Sequence, residues 1–377
     1  MKRDIAIDYL RSGITVSVVA HHAALAYNTF SYFDAKRYIR STAPVVDTVR
    51  WMPLDLLVGW NDMFFMCLMF LISGLFVVPS IERKGVLHFL SDRSKRLGIP
   101  FVVCVVLLSP LAYYPAWLSS EAAGQGNFLY RFFTVDGWSS GPSWFIWVLL
   151  AFCFLVAVPH LFIRDFMKRV SWSVNSPANL VIMLLAVSLL ATVPVRLFVA
   201  PTSCLNPWGP LQVQTWRLLL YFAWFLVGVV IGGAKIQHSL SRENLQPWPF
   251  WVALGALSYL VHGAMEARLF CFAGMQVRLI NVLQATVYSC CCTFTSLGAL
   301  GMARFFFNTA RPLADSLTDN AYGIYIFHYA FVIWMQYLLL AHQIPAALKF
   351  LASFTFALSA SWLLTALLHK TPAKKFL

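Results

Sequence analysis

Four runs in this chain, Phe64–Val78, Ile99–Leu118, Trp144–Ile163 and Phe250–Val261, contain no aspartate, glutamate, lysine or arginine. Apolar runs approaching 20 residues are long enough for an α-helix to cross the hydrocarbon core of a bilayer. Composition agrees, since 60% of the residues are hydrophobic and 11% charged, whereas soluble domains carry roughly a quarter charged residues. The expected fold is all-α, a polytopic transmembrane bundle of about ten helices forming one domain over residues 1–377. Helices are expected near 10–30, 59–78, 98–118, 143–163, 179–199, 216–233, 248–264, 277–301, 320–341 and 347–368.

The net charge of +13 would suit a nucleic-acid partner in a soluble protein. Here the basic residues are explained by topology. With the N-terminus in the cytoplasm, most lysines and arginines, among them Arg83, Lys84, Arg93, Lys95, Arg96, Lys374 and Lys375, fall on the inside. The positive-inside rule is met without nucleic acid, and an even helix count puts both termini in the cytoplasm.

The first 26 residues mimic a signal peptide, with Lys2, Arg3, an apolar core and Ala24-Leu25-Ala26. Cleavage there would discard Arg11 and both histidines, so an uncleaved first helix is expected. The cysteines show no metal spacing and read as apolar filler, although Cys204 and Cys271 fall in outside loops that an oxidising compartment could bridge. Segments 31–58 and 119–142 are rich in aromatic residues and read as caps over an outward-facing cavity.

Within the first helix, LRSGITVSVVAHH places Arg11 and His22 eleven positions apart. At 100° per residue they share a face, separated by about 16 Å along the axis. The arginine then stands at the cytoplasmic boundary and His22 about halfway through the bilayer, while His21 points elsewhere. Asp8, one turn before Arg11, can pair with it. An imidazole at that depth is costly unless it faces a polar interior.

FLSDRSKRLGIPF follows the second helix, and Arg93 and Arg96 are three apart on one face of a helical turn. Paired guanidinium groups suit a phosphate; simple positive-inside anchoring is the other reading. A cationic mouth with a histidine further in fits a donor with a phosphate-bearing head and a reactive group at the end of a long arm. Acyl-coenzyme A has that form.

Five blocks occur in order: Asp8, Arg11 and His22 in the first helix; FFMCLMFLISGLF (Phe64–Phe76); RSKRLGIP (Arg93–Pro100); GPSWFIWVLLAF (Gly141–Phe152); and AYGIYIFHY (Ala321–Tyr329). Together they resemble the membrane acyltransferase-3 family over nearly the whole chain. The resemblance implies a bacterial inner-membrane enzyme that moves a small acyl group, acetyl or succinyl, from acyl-coenzyme A to a hydroxyl of a carbohydrate or cell-envelope glycan. It implies a catalytic His22, with Arg11, Arg93 and Arg96 needed for function and for handling the donor. Two departures stand out. Pro142 and Ser143 precede Trp144 where many members carry a histidine and another residue, and an acidic residue often found a little later is missing. The sequence also shows no additional helix and extracellular SGNH-type hydrolase domain, so no second transfer step is expected.

The candidate site is therefore His22 and Arg11 as the catalytic pair and Arg93 and Arg96 for the donor, with Asp8, Trp144, Tyr325 and His328 in supporting roles. No metal or bound cofactor is called for. His22 would act as general base on the acceptor hydroxyl or carry the acyl group itself. Trp144 and Tyr325 are either cavity walls or packing. His328 is either a second polar group in the cavity or an interhelical hydrogen bond. Asp62 is either a sugar contact or a helix-end residue, and Ser73-Gly74 reads as close helix packing. The competing class is a transporter or a non-enzymatic scaffold, but no internal repeat is apparent and the first helix has only Gly13 as an interruption.

Overall fold

The computed structural model describes residues 4–162, 176–234, 239–267, 269 and 275–376. Fourteen α-helices are described: α1 (Ile5–Leu25), α2 (Pro53–Leu75), α3 (Val77–Lys84), α4 (Val86–Arg93), α5 (Ile99–Val103), α6 (Ser109–Leu118), α7 (Phe128–Thr134), α8 (Trp144–Phe162), α9 (Pro177–Phe198), α10 (Thr215–Gly233), α11 (Trp248–Glu266), α12 (Val277–Phe306), α13 (Pro312–Leu339) and α14 (Ala346–Leu368). Among the described residues, seven helical stretches are long and apolar enough to cross a membrane, including Pro53–Lys84 and Val86–Leu118. The chain is a multi-pass membrane protein. The more polar helices α1, α11 and α13 pack against these spans, α1 beside α13, α13 beside α14 and α11 beside α12.

Several boundaries differ from the sequence expectation. The first helix spans Ile5–Leu25 rather than 10–30, because Asp4 caps it by accepting from the Ile7 N–H at 3.3 Å. The ninth expected helix starts eight residues early, at Pro312, where proline fits the first turn. Between α9 and α10, Cys204–Leu205 and Val213–Gln214 pair as a short antiparallel hairpin. Cys271, and with it the Cys204–Cys271 pair, lies outside the described residues.

RSKRLGIP is not a connecting turn but part of a helical run from Val86 to Leu118, with wide π-helical turns at Ser94–Gly98 and Cys104–Leu108. The cause is a proline series. A proline cannot donate to the carbonyl four residues back and crowds it, which frees that oxygen for another donor. Pro100 frees Arg96, whose carbonyl accepts from the Tyr322 hydroxyl at 2.8 Å. Pro115 frees Leu111, whose carbonyl accepts from the Trp334 indole at 2.9 Å. Both donors come from α13, so the prolines fasten this run to the helix that carries the AYGIYIFHY block.

Of the Ser73-Gly74 pair, Gly74 packs as expected, while Ser73 lines a cavity. A Cβ at Gly74 would fall 2.2 Å from the Phe225 carbonyl oxygen and one at Gly228 would fall 2.1 Å from that of Leu71, so α2 and α10 touch backbone to backbone. The aromatic segments also meet, with Tyr38, Tyr113, Trp117, Phe128 and Phe132 in one cluster. The Tyr38 hydroxyl donates to Asp136 at 3.1 Å, and Lys349 reaches from α14 to Asp47 at 2.6 Å, tying the first cap segment in place.

Candidate functional site

Helices α1 and α13 are fastened side by side. Tyr9 donates to Asp315 at 2.8 Å, Ser12 and Thr318 share a hydrogen bond at 3.1 Å, and the Gln336 amide donates to the carbonyls of His22 and Ala23, each at 3.0 Å. On α13, Tyr325, Tyr329 and Gln336 follow at spacings of four and seven residues, with His328 three after Tyr325, and these residues share the face toward α1.

That alignment sets His22 against His328. The Nδ1–H of His22 donates to the Val18 carbonyl at 2.9 Å, and that of His328 donates to the Tyr325 carbonyl at 2.7 Å. Carbonyls only accept, so each Nδ1 carries the proton. The Nε2 lone pair of His328 therefore faces the same His22 Nδ1 at 3.4 Å. Among the described residues, the Nε2 lone pair of His22 has no hydrogen-bond partner. His328 is fully buried, and the Tyr329 ring stands edge-on to His22 at 5.2 Å. His328 is thus an interhelical hydrogen-bond partner of His22.

Two cavities follow one another along α1. The first, of about 380 Å³, is lined by Arg11, Thr15, Ser73, Arg93, Arg96 and Tyr325. The second, of about 410 Å³, is lined by His21, His22, Asp62, Trp144, Arg217 and Tyr325. Tyr325 alone of these residues lines both, and its hydroxyl donates to the Pro142 carbonyl. Gly141, just before that proline, holds a left-handed φ of +52°, and a side chain there would crowd the Tyr329 ring. The GPSW block is thus a fitted strap against α13.

The three arginines singled out in the sequence come together, with Arg11 beside Arg93 and Arg96 rather than beside His22. Asp8 contacts Arg11 at 3.9 Å. Trp144 is a wall of the histidine cavity and stacks on Tyr221 at 5.6 Å. His21 lines the same cavity as His22 and stacks on Phe65 at 5.3 Å. A 100° step separates their positions on the helix, yet the cavity is wide enough to reach both.

The sequence reading missed Arg217. It holds Asp62 by two hydrogen bonds, 2.8 and 2.5 Å, and its guanidinium lies over the Trp216 ring at 4.8 Å. Asp62 is thereby a partner of a buried arginine and not a lone helix-end residue. The available signal was an arginine inside an apolar helix, TWRLLL, where a charge needs a partner. Among the described residues, no group of three or more His, Cys, Asp or Glu could hold a metal ion.

Comparison with known proteins agrees with these blocks. A family profile described as an acyltransferase domain, that of the acyltransferase-3 family, matches residues 4–366. Two curated relatives, each named glucans biosynthesis protein C and coming from Salmonella typhi and Salmonella typhimurium, are 22% identical to the chain over 393 aligned positions, covering 100% of this chain and 94% of each relative. No solved structure matches the chain with significance.

Proposed function

The chain belongs to the acyltransferase-3 family, and on that premise we propose that it moves an acetyl or succinyl group from acyl-coenzyme A to a hydroxyl of a carbohydrate, in the class of cell-envelope glycans. The observation that carries this reading is the pair of cavities meeting at Tyr325, one lined by three arginines and the other by His22. Arg11, Arg93 and Arg96 hold the phosphates of the donor by charge-assisted hydrogen bonds. The thioester then reaches past Tyr325 toward His22, while the acceptor enters the histidine cavity. The donor is a substrate, and no resident cofactor takes part. In this reading the protein sits in the bacterial inner membrane as one domain of about ten helices. Both termini and the arginine cavity face the cytoplasm.

The proton path follows from the hydrogen bonds. His22 Nε2 takes the proton of the acceptor hydroxyl as its oxygen bonds to the acyl carbon. The carbon–sulfur bond breaks, and the imidazolium returns that proton to the departing thiolate. While His22 is charged, the Val18 carbonyl and His328 Nε2 both face its Nδ1–H and stabilise the cation. The relatives' name points to glucans, which supports a carbohydrate acceptor here.

The test is full-length protein in nanodiscs with radiolabelled acetyl- or succinyl-coenzyme A and an envelope extract as acceptor. Transfer of label to carbohydrate is expected, and His22→Ala should lower it by about 10²–10⁴-fold. Absence of both thioester cleavage and transfer in the wild type would overturn the reading.

A further inference from the structure

Arg196, on α9, is only 6% exposed. Its guanidinium lies over the Trp216 ring at 5.2 Å, and it makes no hydrogen bond or ion pair with any described residue. A buried cation without a counter-ion is among the costliest arrangements a protein can hold. The nearby charges do not relieve it. Arg217 shares the same indole ring and adds repulsion, and Asp62 is committed to Arg217. Glu266 is largely exposed and stands 3.9 Å from His262.

Arg196 also lines a cavity of about 690 Å³, together with His21, Asp62, Gln214, Trp216 and Arg217. His21, Asp62, Gln214 and Arg217 line the His22 cavity as well, so the two spaces adjoin. A volume of this order holds a ligand the size of a few sugar rings. The unmatched charge thus lines a space that adjoins the one lined by His22.

We propose that the acceptor is anionic, and that Arg196 binds a carboxylate or phosphate group carried by it, at a distance from the hydroxyl that is acylated. This rests on the acyl-transfer reading for the location of the acceptor. Trp216 keeps the guanidinium in place, its buried ring lying under both Arg196 and Arg217.

The test separates binding from catalysis. Full-length protein in nanodiscs, without donor, is titrated with a neutral glucose trisaccharide and with its 6-phosphate and uronic-acid counterparts. The acidic ligands should bind about tenfold tighter or more, the size of one charge-assisted contact. Arg196→Gln should remove that preference while leaving the neutral sugar's affinity unchanged, and Arg196→Lys should retain part of it. Equal binding of neutral and acidic sugars by the wild type would overturn the proposal without any variant. So would equal loss of both in Arg196→Gln. Inorganic phosphate or phosphatidylglycerol in the disc binding as tightly as the phosphorylated sugar would assign the site to free phosphate or lipid and overturn it too. So would a transfer assay in which Arg196→Gln discriminates succinyl from acetyl donors rather than acidic from neutral acceptors. Absence of transfer with every donor and acceptor, alongside a clear acidic preference in binding, would defeat the acyl-transfer reading alone.

Discussion

His328 Nε2 faces the Nδ1–H of His22 at 3.4 Å, across the seam between α1 and α13. The ring that turns its lone pair toward His22 is itself locked by donation to the Tyr325 carbonyl. His328 is therefore a positioning residue. His328→Phe keeps the volume and loses the acceptor, and should lower kcat about 10- to 100-fold, the worth of one hydrogen bond to a charged group. KM for acyl-coenzyme A should stay within about twofold. A rise in KM with unchanged kcat would contradict this role.

Arg11, Arg93 and Arg96 line one cavity. Changing any one to Gln should raise KM for acyl-coenzyme A about tenfold or more while kcat at saturation falls little. A pantetheine thioester has the reactive end but no nucleotide phosphates. With that donor, wild type and variants should converge; a persisting gap would mean that these arginines do not read the phosphates.

Lys349 and Asp47 are fully buried and paired at 2.6 Å. Lys349→Met strands the carboxylate and should destabilise the protein by about 3–5 kcal/mol. Adding Asp47→Leu should recover most of the loss. Thermal unfolding in detergent measures both, and a double variant as unstable as the single one would refute the ion-pair account.

The α2–α10 seam leaves no room at Gly228, where a Cβ would fall 2.1 Å from the Leu71 carbonyl oxygen. Gly228→Ala should cost about 3 kcal/mol or more, at or beyond the upper end of overpacking effects, because backbone has to move. Gly13→Ala is the control, since nothing lies within 4 Å of its added Cβ; it should be neutral or slightly stabilising.

Burial, with Asp136 beside it, raises the Tyr38 phenol well above its ordinary value. A group raised on folding contributes stability that is fully present below its unfolded value, about 10 for tyrosine, and lost as pH climbs through the folded one. Tyr38→Phe should therefore cost about 1 kcal/mol at neutral pH, and the gap should close only in strong alkali. Unfolding midpoints at pH 7 and above pH 10 test this; a gap already closed at pH 9 would be the wrong sign.

Much of this was legible in the residues. The long uncharged runs required a membrane bundle, and the five ordered blocks pointed to the family. The grouping of Arg11 with Arg93 and Arg96 followed from their common placement near one boundary. The helix starts at Asp4 and Pro312 were also written locally, as a cap and a first-turn proline, although the hydropathy windows passed over both.

Other features arose only when distant segments met. His22 and His328 are 306 positions apart, and only the packing of α13 on α1 decides which nitrogen faces which. Arg217 finds Asp62 from 155 positions away, and Tyr322 finds the carbonyl that Pro100 released. Hydropathy is a property of single segments, so the sequence determined which segments lie in the bilayer and where polar groups interrupt them. Hydrogen bonds and cavities belong to pairs of segments. Which polar groups satisfy one another, and which guanidinium is left facing an open space, was decided by the tertiary structure alone.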